Sequence, residues 1–177
     1  MMDSLADAAG PVALTLSDTG ARFSLRVAQA DREAAAGAFG LALPAGIGDA
    51  VRGADREGLC VGPDEWVLWA DEAARGDIVA AFAALAATVP HSLVDISDRE
   101  MTITLAGPGA ADLLAMGIAI DLDAFASGHG VRTVFSGVSV ILRRDSADLF
   151  RLDVWRSFVP HLWTLLAEGN HELALGV

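Results

Sequence analysis

Among the residues able to do chemistry, Gly107-Pro108-Gly109-Ala110-Ala111-Asp112 comes nearest to a cofactor loop. It follows a strand-like run and opens a helix-like one, as a dinucleotide fingerprint does. Its sixth position is Asp, however, which would set a carboxylate beside the pyrophosphate it should welcome. The stretch reads better as a helix start with Pro at the first helical position. Asp95-Ile96-Ser97-Asp98-Arg99-Glu100 clusters acids between two strand-like runs. Paired carboxylates do acid/base work only when their surroundings drive their pKa values apart. Asp and Ser together read first as turn chemistry, with Arg99 as a possible carboxylate clamp facing a partner or ligand.

Arg143-Arg144-Asp145 closes a strand-like run, either as a solvated hairpin end or as an interface, where the planar guanidinium matches carboxylates. Trp66 and Trp155 read as packing. Trp163 lies off the Phe158, Leu162, Leu165, Leu166 stripe of the last helix and so reads as an exposed anchor. Arg99, Arg143, Arg144, Arg156 and Trp163 are therefore the candidate partner-facing residues. Cys60 is alone, and His91, His129, His161 and His171 are scattered without zinc spacing. No Gly-x-Ser-x-Gly elbow occurs. No catalytic, cofactor-binding or metal-binding residue is assigned.

The 177-residue chain carries 12 basic and 24 acidic residues, for a net charge of -12. Every basic residue is Arg, which excludes Schiff-base and P-loop lysine chemistry. An acidic chain without a basic run is a poor partner for nucleic acid, because phosphate contacts need clustered cations. A single Cys fits a reducing compartment. The N-terminus has neither the basic segment nor the apolar run of a signal peptide, and no apolar stretch is long enough to span a bilayer. The expectation is a cytoplasmic protein that uses neither membrane nor nucleic acid.

The elements that must position these residues follow from periodicity. Val12, Leu14 and Leu16, then Phe23, Leu25 and Val27, alternate with smaller or polar residues. With Asp18-Thr19-Gly20 between them they predict a hairpin. Asp31 is placed to cap a helix through Phe39, and Asp71 one to about Ala87. Residues 40–58 are Gly-rich and read as a long loop or subdomain boundary. Residues 59–69 are expected to form two strand pieces around the Gly62-Pro63-Asp64 turn, with further strands at 92–96, 101–106, 132–135, 138–143 and 149–154. A short helix runs to Met116, with irregular chain over 119–131. Phe150, Leu152 and Val154 alternate with Arg151 and Asp153, giving one buried and one wet face. Ser157 is placed to cap a final helix ended by Gly169-Asn170, with a last strand at 173–177. The irregular mix predicts an α+β fold with mixed, largely antiparallel sheets and packed helices. The expected division is a flexible N-terminus (1–10), an N-terminal α+β subdomain (11–97) and a C-terminal one (98–177).

Four stretches, taken in order and spacing, resemble a known family. They are Leu59-Cys60-Val61-Gly62-Pro63-Asp64-Glu65-Trp66, His91 to Arg99, Leu105-Ala106-Gly107-Pro108, and Arg156-Ser157-Phe158-Val159-Pro160-His161-Leu162-Trp163. Together they resemble the γ subunit of heterotetrameric sarcosine oxidase over about residues 58–168. The resemblance implies a fold similar to the folate-binding domains of the glycine-cleavage T-protein, with ferredoxin-like substructure. It implies α, β and δ partner chains and an assembly that oxidatively demethylates sarcosine to glycine. Tetrahydrofolate would accept the one-carbon unit, and oxygen would become hydrogen peroxide. It also implies FAD, FMN, NAD and zinc in the partner subunits, with no cofactor bound by this chain. The alternative is a stand-alone folate-binding domain, in which Asp95 or Asp98 would pair with a pterin. Iron–sulfur-related members of the wider fold carry a Lys-Gly-Cys motif; Cys60 sits in Gly-Leu-Cys-Val-Gly instead, so that function is not implied.

Overall fold

A computed structural model of the chain describes residues 10–18 and 20–176. The predicted turn at Thr19 and most of the predicted flexible N-terminus lie outside them. The fold is α+β and divides into two units: Met1–Asp18 with Arg99–Val177, and Thr19–Asp98. These are the discontinuous and continuous units below.

The continuous unit runs β2 (Ala21–Val27), α1 (Arg32–Phe39), β3 (Ala50–Arg52), β4 (Arg56–Gly62), β5 (Glu65–Ala70), α2 (Arg75–Leu85) and β6 (His91–Asp95). Its sheet has the order β3-β4-β5-β2-β6 and every pairing is antiparallel. Setting aside the three-residue β3, this is the βαββαβ order of a ferredoxin-like unit. The alternation in β2 puts Phe23 and Leu25 on the face that meets Phe39, Ile78 and Phe82 of the helices, and β5 adds Trp66 and Leu68 to that core. The indole of Trp66 keeps its N–H satisfied by donating to Pro44 O at 2.9 Å, which pins the Gly-rich segment before β3. That segment belongs to the unit and is no boundary.

The discontinuous unit repeats the pattern. It runs β7 (Glu100–Ala106), α3 (Ala110–Ala115), β8 (His129–Phe135), β9 (Val138–Ser146), β10 (Leu149–Trp155) and α4 (Val159–Leu175). The strand that should follow α4 is replaced by β1 (Ala13–Ser17), from the other end of the chain. The order is β1-β7-β10-β9-β8, again all antiparallel. Ile103, Leu105, Phe150, Leu152 and Leu142 form one face, covered by Leu113, Leu114, Leu162, Trp163 and Leu166 from the helices.

The structure corrects several expectations. β1 and β2 do not form a hairpin. β2 already has β5 and β6 on its two sides, while β1 pairs Leu14 with Leu105 and Leu16 with Ile103. The first strand therefore leaves the 11–97 grouping and joins residues beyond 98. The final helix passes through Gly169-Asn170 to Leu175, so no strand forms over 173–176. Two contacts explain this. A Cβ on Gly169 would lie 2.6 Å from Met116 Sδ and 2.9 Å from Leu113 Cδ1, so glycine lets α3 and α4 approach without displacing those side chains. The fully buried Asn170 amide accepts from Val12 N at 3.0 Å and donates to Val12 O at 2.9 Å. Both bonds satisfy backbone groups at the entry to β1. None of the helix starts at Asp31, Asp71 or Ser157 is closed by a side-chain cap; three-residue 3-10 turns precede α1, α2 and α4 instead.

Candidate partner interface

The five candidate residues separate into two kinds of place. Arg143 is buried, where an exposed interface residue was expected. Its Nε and Nη2 donate to the two carboxylate oxygens of Asp153 at 2.8 and 3.0 Å, and Thr102 Oγ donates to the same carboxylate at 2.6 Å. These residues lie on neighbouring strands, on the sheet face opposite α3 and α4. The face expected to be wet is therefore dry at Asp153, which is 2% exposed. A buried carboxylate needs such partners. Arg144 serves its own loops: it donates to Leu122 O, Phe125 O and Ala147 O at 2.8, 2.6 and 3.0 Å, and its guanidinium lies 5.0 Å from the Phe150 ring centre.

Trp163 is also buried, contrary to the exposed anchor expected. The phase of α4 explains why. Its inward stripe starts at Val159, giving Val159, Leu162, Trp163, Leu166, Ala167 and Asn170 at helical spacing. Taking Phe158 as part of the helix shifts the phase by one residue and throws Trp163 outward. Phe158 instead ends the 3-10 turn Arg156–Phe158 and is 42% exposed.

Arg99 and Arg156 are exposed and come together around a residue read from sequence as packing, Trp155. Trp155 ends β10, one residue beyond Val154, so strand parity turns it away from the core, and it is 50% exposed. Arg99 holds its guanidinium 5.4 Å from the Trp155 ring centre, within cation–π range. It also pairs with Glu100 at 2.9 Å. Phe158 sits 6.4 Å from Trp155 between ring centres. Arg156 pairs with Asp18 at 3.5 Å, and its backbone N–H donates to Arg99 O at 2.8 Å. The result is a patch of two half-exposed aromatics with the Arg99 guanidinium over one of them and the Arg156 backbone tied to Arg99. Strand parity at Trp155, already set by Phe150, Leu152 and Val154, was the sequence signal for it.

The other chemical candidates have local employment. The Gly107–Gly109 turn is filled by the chain itself: a Cβ on Gly107 would meet Pro11 O at 2.9 Å, and one on Gly109 would meet Val12 Cγ2 at 3.3 Å. No phosphate cradle is open there, and α3 is six residues long. Pro108 precedes the helix cap at Gly109 and does not occupy the first helical position. Asp95 accepts from Ser97 Oγ at 2.6 Å, Ser97 N at 3.0 Å and Arg75 Nη2 at 3.3 Å, and its second oxygen pairs ionically with Arg75 at 2.9 Å. Partial burial would raise its pKa, but these Ser97 and Arg75 bonds outweigh it and hold the carboxyl below its usual range. Ser97 in turn receives Arg22 N at 2.9 Å, so the group closes the end of β6. Asp98 is exposed on the following turn. Cys60 is buried; desolvation pushes its thiol up, and the thiol donates to Gly62 O at 3.1 Å. Among the described residues no three His, Cys, Asp or Glu side chains converge as a metal set, and no helix is long and apolar enough to cross a membrane.

Comparison with known proteins identifies relatives on sequence and on fold. The family described as sarcosine oxidase, gamma subunit family matches residues 24–172. No curated protein matches the chain. A chain of heterotetrameric sarcosine oxidase from Corynebacterium sp. U-96, solved in complex with pyrrole 2-carboxylate, superposes with TM-score 0.84 at 26% identity. The match covers 94% of this chain and 88% of that one. The glycine cleavage system aminomethyltransferase T from Bartonella henselae superposes with TM-score 0.64 at 16% identity, over 90% of this chain and 46% of that protein. The regulatory subunit of aspartate kinase from Thermus thermophilus reaches 0.52 at 9% identity, over 89% of this chain and 97% of that one. The last two are likenesses of fold alone.

Proposed function

This chain belongs to the sarcosine oxidase gamma subunit family, and on that premise we propose that it works as the γ subunit of a heterotetrameric sarcosine oxidase. In this reading it assembles with α, β and δ chains in the cytoplasm. The assembly oxidatively demethylates sarcosine to glycine, with tetrahydrofolate accepting the one-carbon unit and oxygen reduced to hydrogen peroxide. FAD, FMN, NAD and zinc are assigned to the partner chains. The observation that carries the proposal is the superposition on a sarcosine oxidase chain over 94% of this one. A family match over residues 24–172 supports it, because that span includes most of both units.

The contribution of this chain is surface rather than reacting groups. Asp95, offered by sequence as a pterin partner, already serves Ser97 and Arg75. The glycine turn is filled by Pro11 and Val12, and Arg143 is committed to Asp153. What remains outward and partner-like is the patch around Trp155. Co-expression of the oxidase chains with and without this one tests the proposal. The expected result is loss of the assembled, active enzyme when this chain is omitted. Remaining subunits that assemble and turn over normally without it would refute the proposal.

A further inference from the structure

The duplicated fold supplies an internal control for the Trp155 patch. β5 and β10 hold equivalent places in the two units; β5 leads through Asp71, and β10 directly from its last residue Trp155, into a three-residue 3-10 turn and then a helix. The backbone is nearly the same at the two junctions: φ -60 and ψ 144 at Asp71, φ -60 and ψ 134 at Trp155. The side chains are not. The continuous unit builds this junction from Asp71-Glu72-Ala73-Ala74, with Ala74 buried. The discontinuous unit builds it from Trp155-Arg156-Ser157-Phe158 and leaves both rings about half in water. Small and acidic residues therefore suffice for the turn. Two large aromatics are not needed to make it, and leaving them exposed forfeits the apolar transfer that would otherwise justify them.

The patch is also held in place before any partner arrives. Arg99 lies over the Trp155 ring, Glu100 fixes the Arg99 guanidinium, and the Arg156 N–H bonds the Arg99 carbonyl. Little side-chain freedom is left to lose on binding, which is the condition that favours a binding anchor. Trp and Arg are the residue types that dominate interface energetics when a partner desolvates them. The charge is informative as well. Beside the rings Arg99 presents a half-exposed guanidinium that Glu100 pairs on one side. Carboxylates edging a partner's recess would share that guanidinium as the rings are buried, which fixes the orientation of docking.

We infer that Trp155 and Phe158, flanked by Arg99, form the anchor by which this chain seats on a partner subunit of the oxidase. The seat is an apolar recess edged with carboxylates. This rests on the γ-subunit reading above and adds the place of contact and its chemistry.

The test uses the full chain and the assembled partner subunits. Affinity is measured from the dissociation on dilution of the co-expressed, purified assembly, with each variant in place of the wild-type chain. Trp155→Ala and Phe158→Ala each weaken association about 30-fold or more, as expected of hot-spot residues. Arg99→Met weakens it about tenfold at low salt and less at high salt, because only its charged contact is screened. Ile47→Ala, at a 64% exposed apolar residue of the continuous unit, leaves association unchanged and serves as the control for nonspecific stickiness. Unfolding midpoints of all four variants stay near wild type, since none of these side chains belongs to either core. Wild-type chain that associates, with Trp155→Ala and Phe158→Ala associating equally well, overturns the anchor and leaves the subunit reading standing. Wild-type chain that fails to associate overturns both.

Discussion

The two units close their sheets in different ways. In the continuous unit the edge beside β2 is β6, which follows α2 after a short connection. In the discontinuous unit the equivalent edge, beside β7, is β1, brought from the opposite end of the sequence. The first arrangement needs only neighbouring segments. The second must recruit a strand separated by more than the whole of the other unit, so its loop-closure entropy is larger. The discontinuous unit has a matching device: Asn170 in α4 grips both backbone groups of Val12 and so holds the entry to β1. The continuous unit fastens β6 from its own end through Asp95, Ser97 and Arg22 N. One topology realised twice thus shows which polar residues belong to closure and which are surplus to it.

The largest expected effect strikes the discontinuous sheet behind its core. Arg143→Ala leaves the Asp153 carboxylate buried without its principal partner and costs about 3–5 kcal/mol, read by urea unfolding. Replacing both residues, Arg143→Met with Asp153→Leu, restores most of that loss, since a buried pair contributes little beyond matching itself. Equal destabilisation by the single and double variants would show that the pair does more than compensate its own desolvation.

Asn170→Leu is the sharper test of the closure comparison. It strands the Val12 N–H and C=O and costs about 2–3 kcal/mol. Hydrogen exchange should speed up in β1 and along the β7 edge while β6 keeps its protection. Matching acceleration in β6 would mean that the two closures are not independent.

Asp95→Asn gives the smallest effect, below about 1 kcal/mol at neutral pH, because the Asp95–Arg75 pair is partly exposed and screened. Its pH dependence carries the information. The folded pKa of Asp95 lies below the unfolded value, so its stabilisation is present above that unfolded value, about 3.9, and fades as pH falls through the folded one. Wild type and Asp95→Asn should therefore differ at pH 7 and converge in strong acid. A difference that persisted there would show that shape, not charge, closes β6.

Much of the fold was legible because one face of each strand is buried and alternation reports this directly. Met101, Ile103 and Leu105, the Phe150 series, and the Trp66–Trp69 strand all emerged in place. Pairing partners did not. Val12 to Leu16 look like a strand, but nothing in that pattern names β7 over β2, and proximity in sequence favoured the wrong choice. Gly169-Asn170 carries the local signature of a helix end, which tertiary contacts with Met116 and Val12 override. The exposed aromatic patch was half legible. Arg99 and Arg156 were named, while Trp155 and Trp163 were assigned to each other's environments. A one-residue error in helix phase misplaced Trp163, and strand parity, which would have placed Trp155 outside, was not carried to its last residue. Arg143 misled because a charge at a strand end looks solvated until the buried Asp153 opposite it is known.

The direct measurement of the central claim is native mass spectrometry of the oxidase produced with and without this chain. The γ-subunit account predicts an intact assembly that contains one 18.3 kDa copy of it, and no such assembly in its absence. A complete, active oxidase of unchanged subunit content that never incorporates the 18.3 kDa chain would contradict the account.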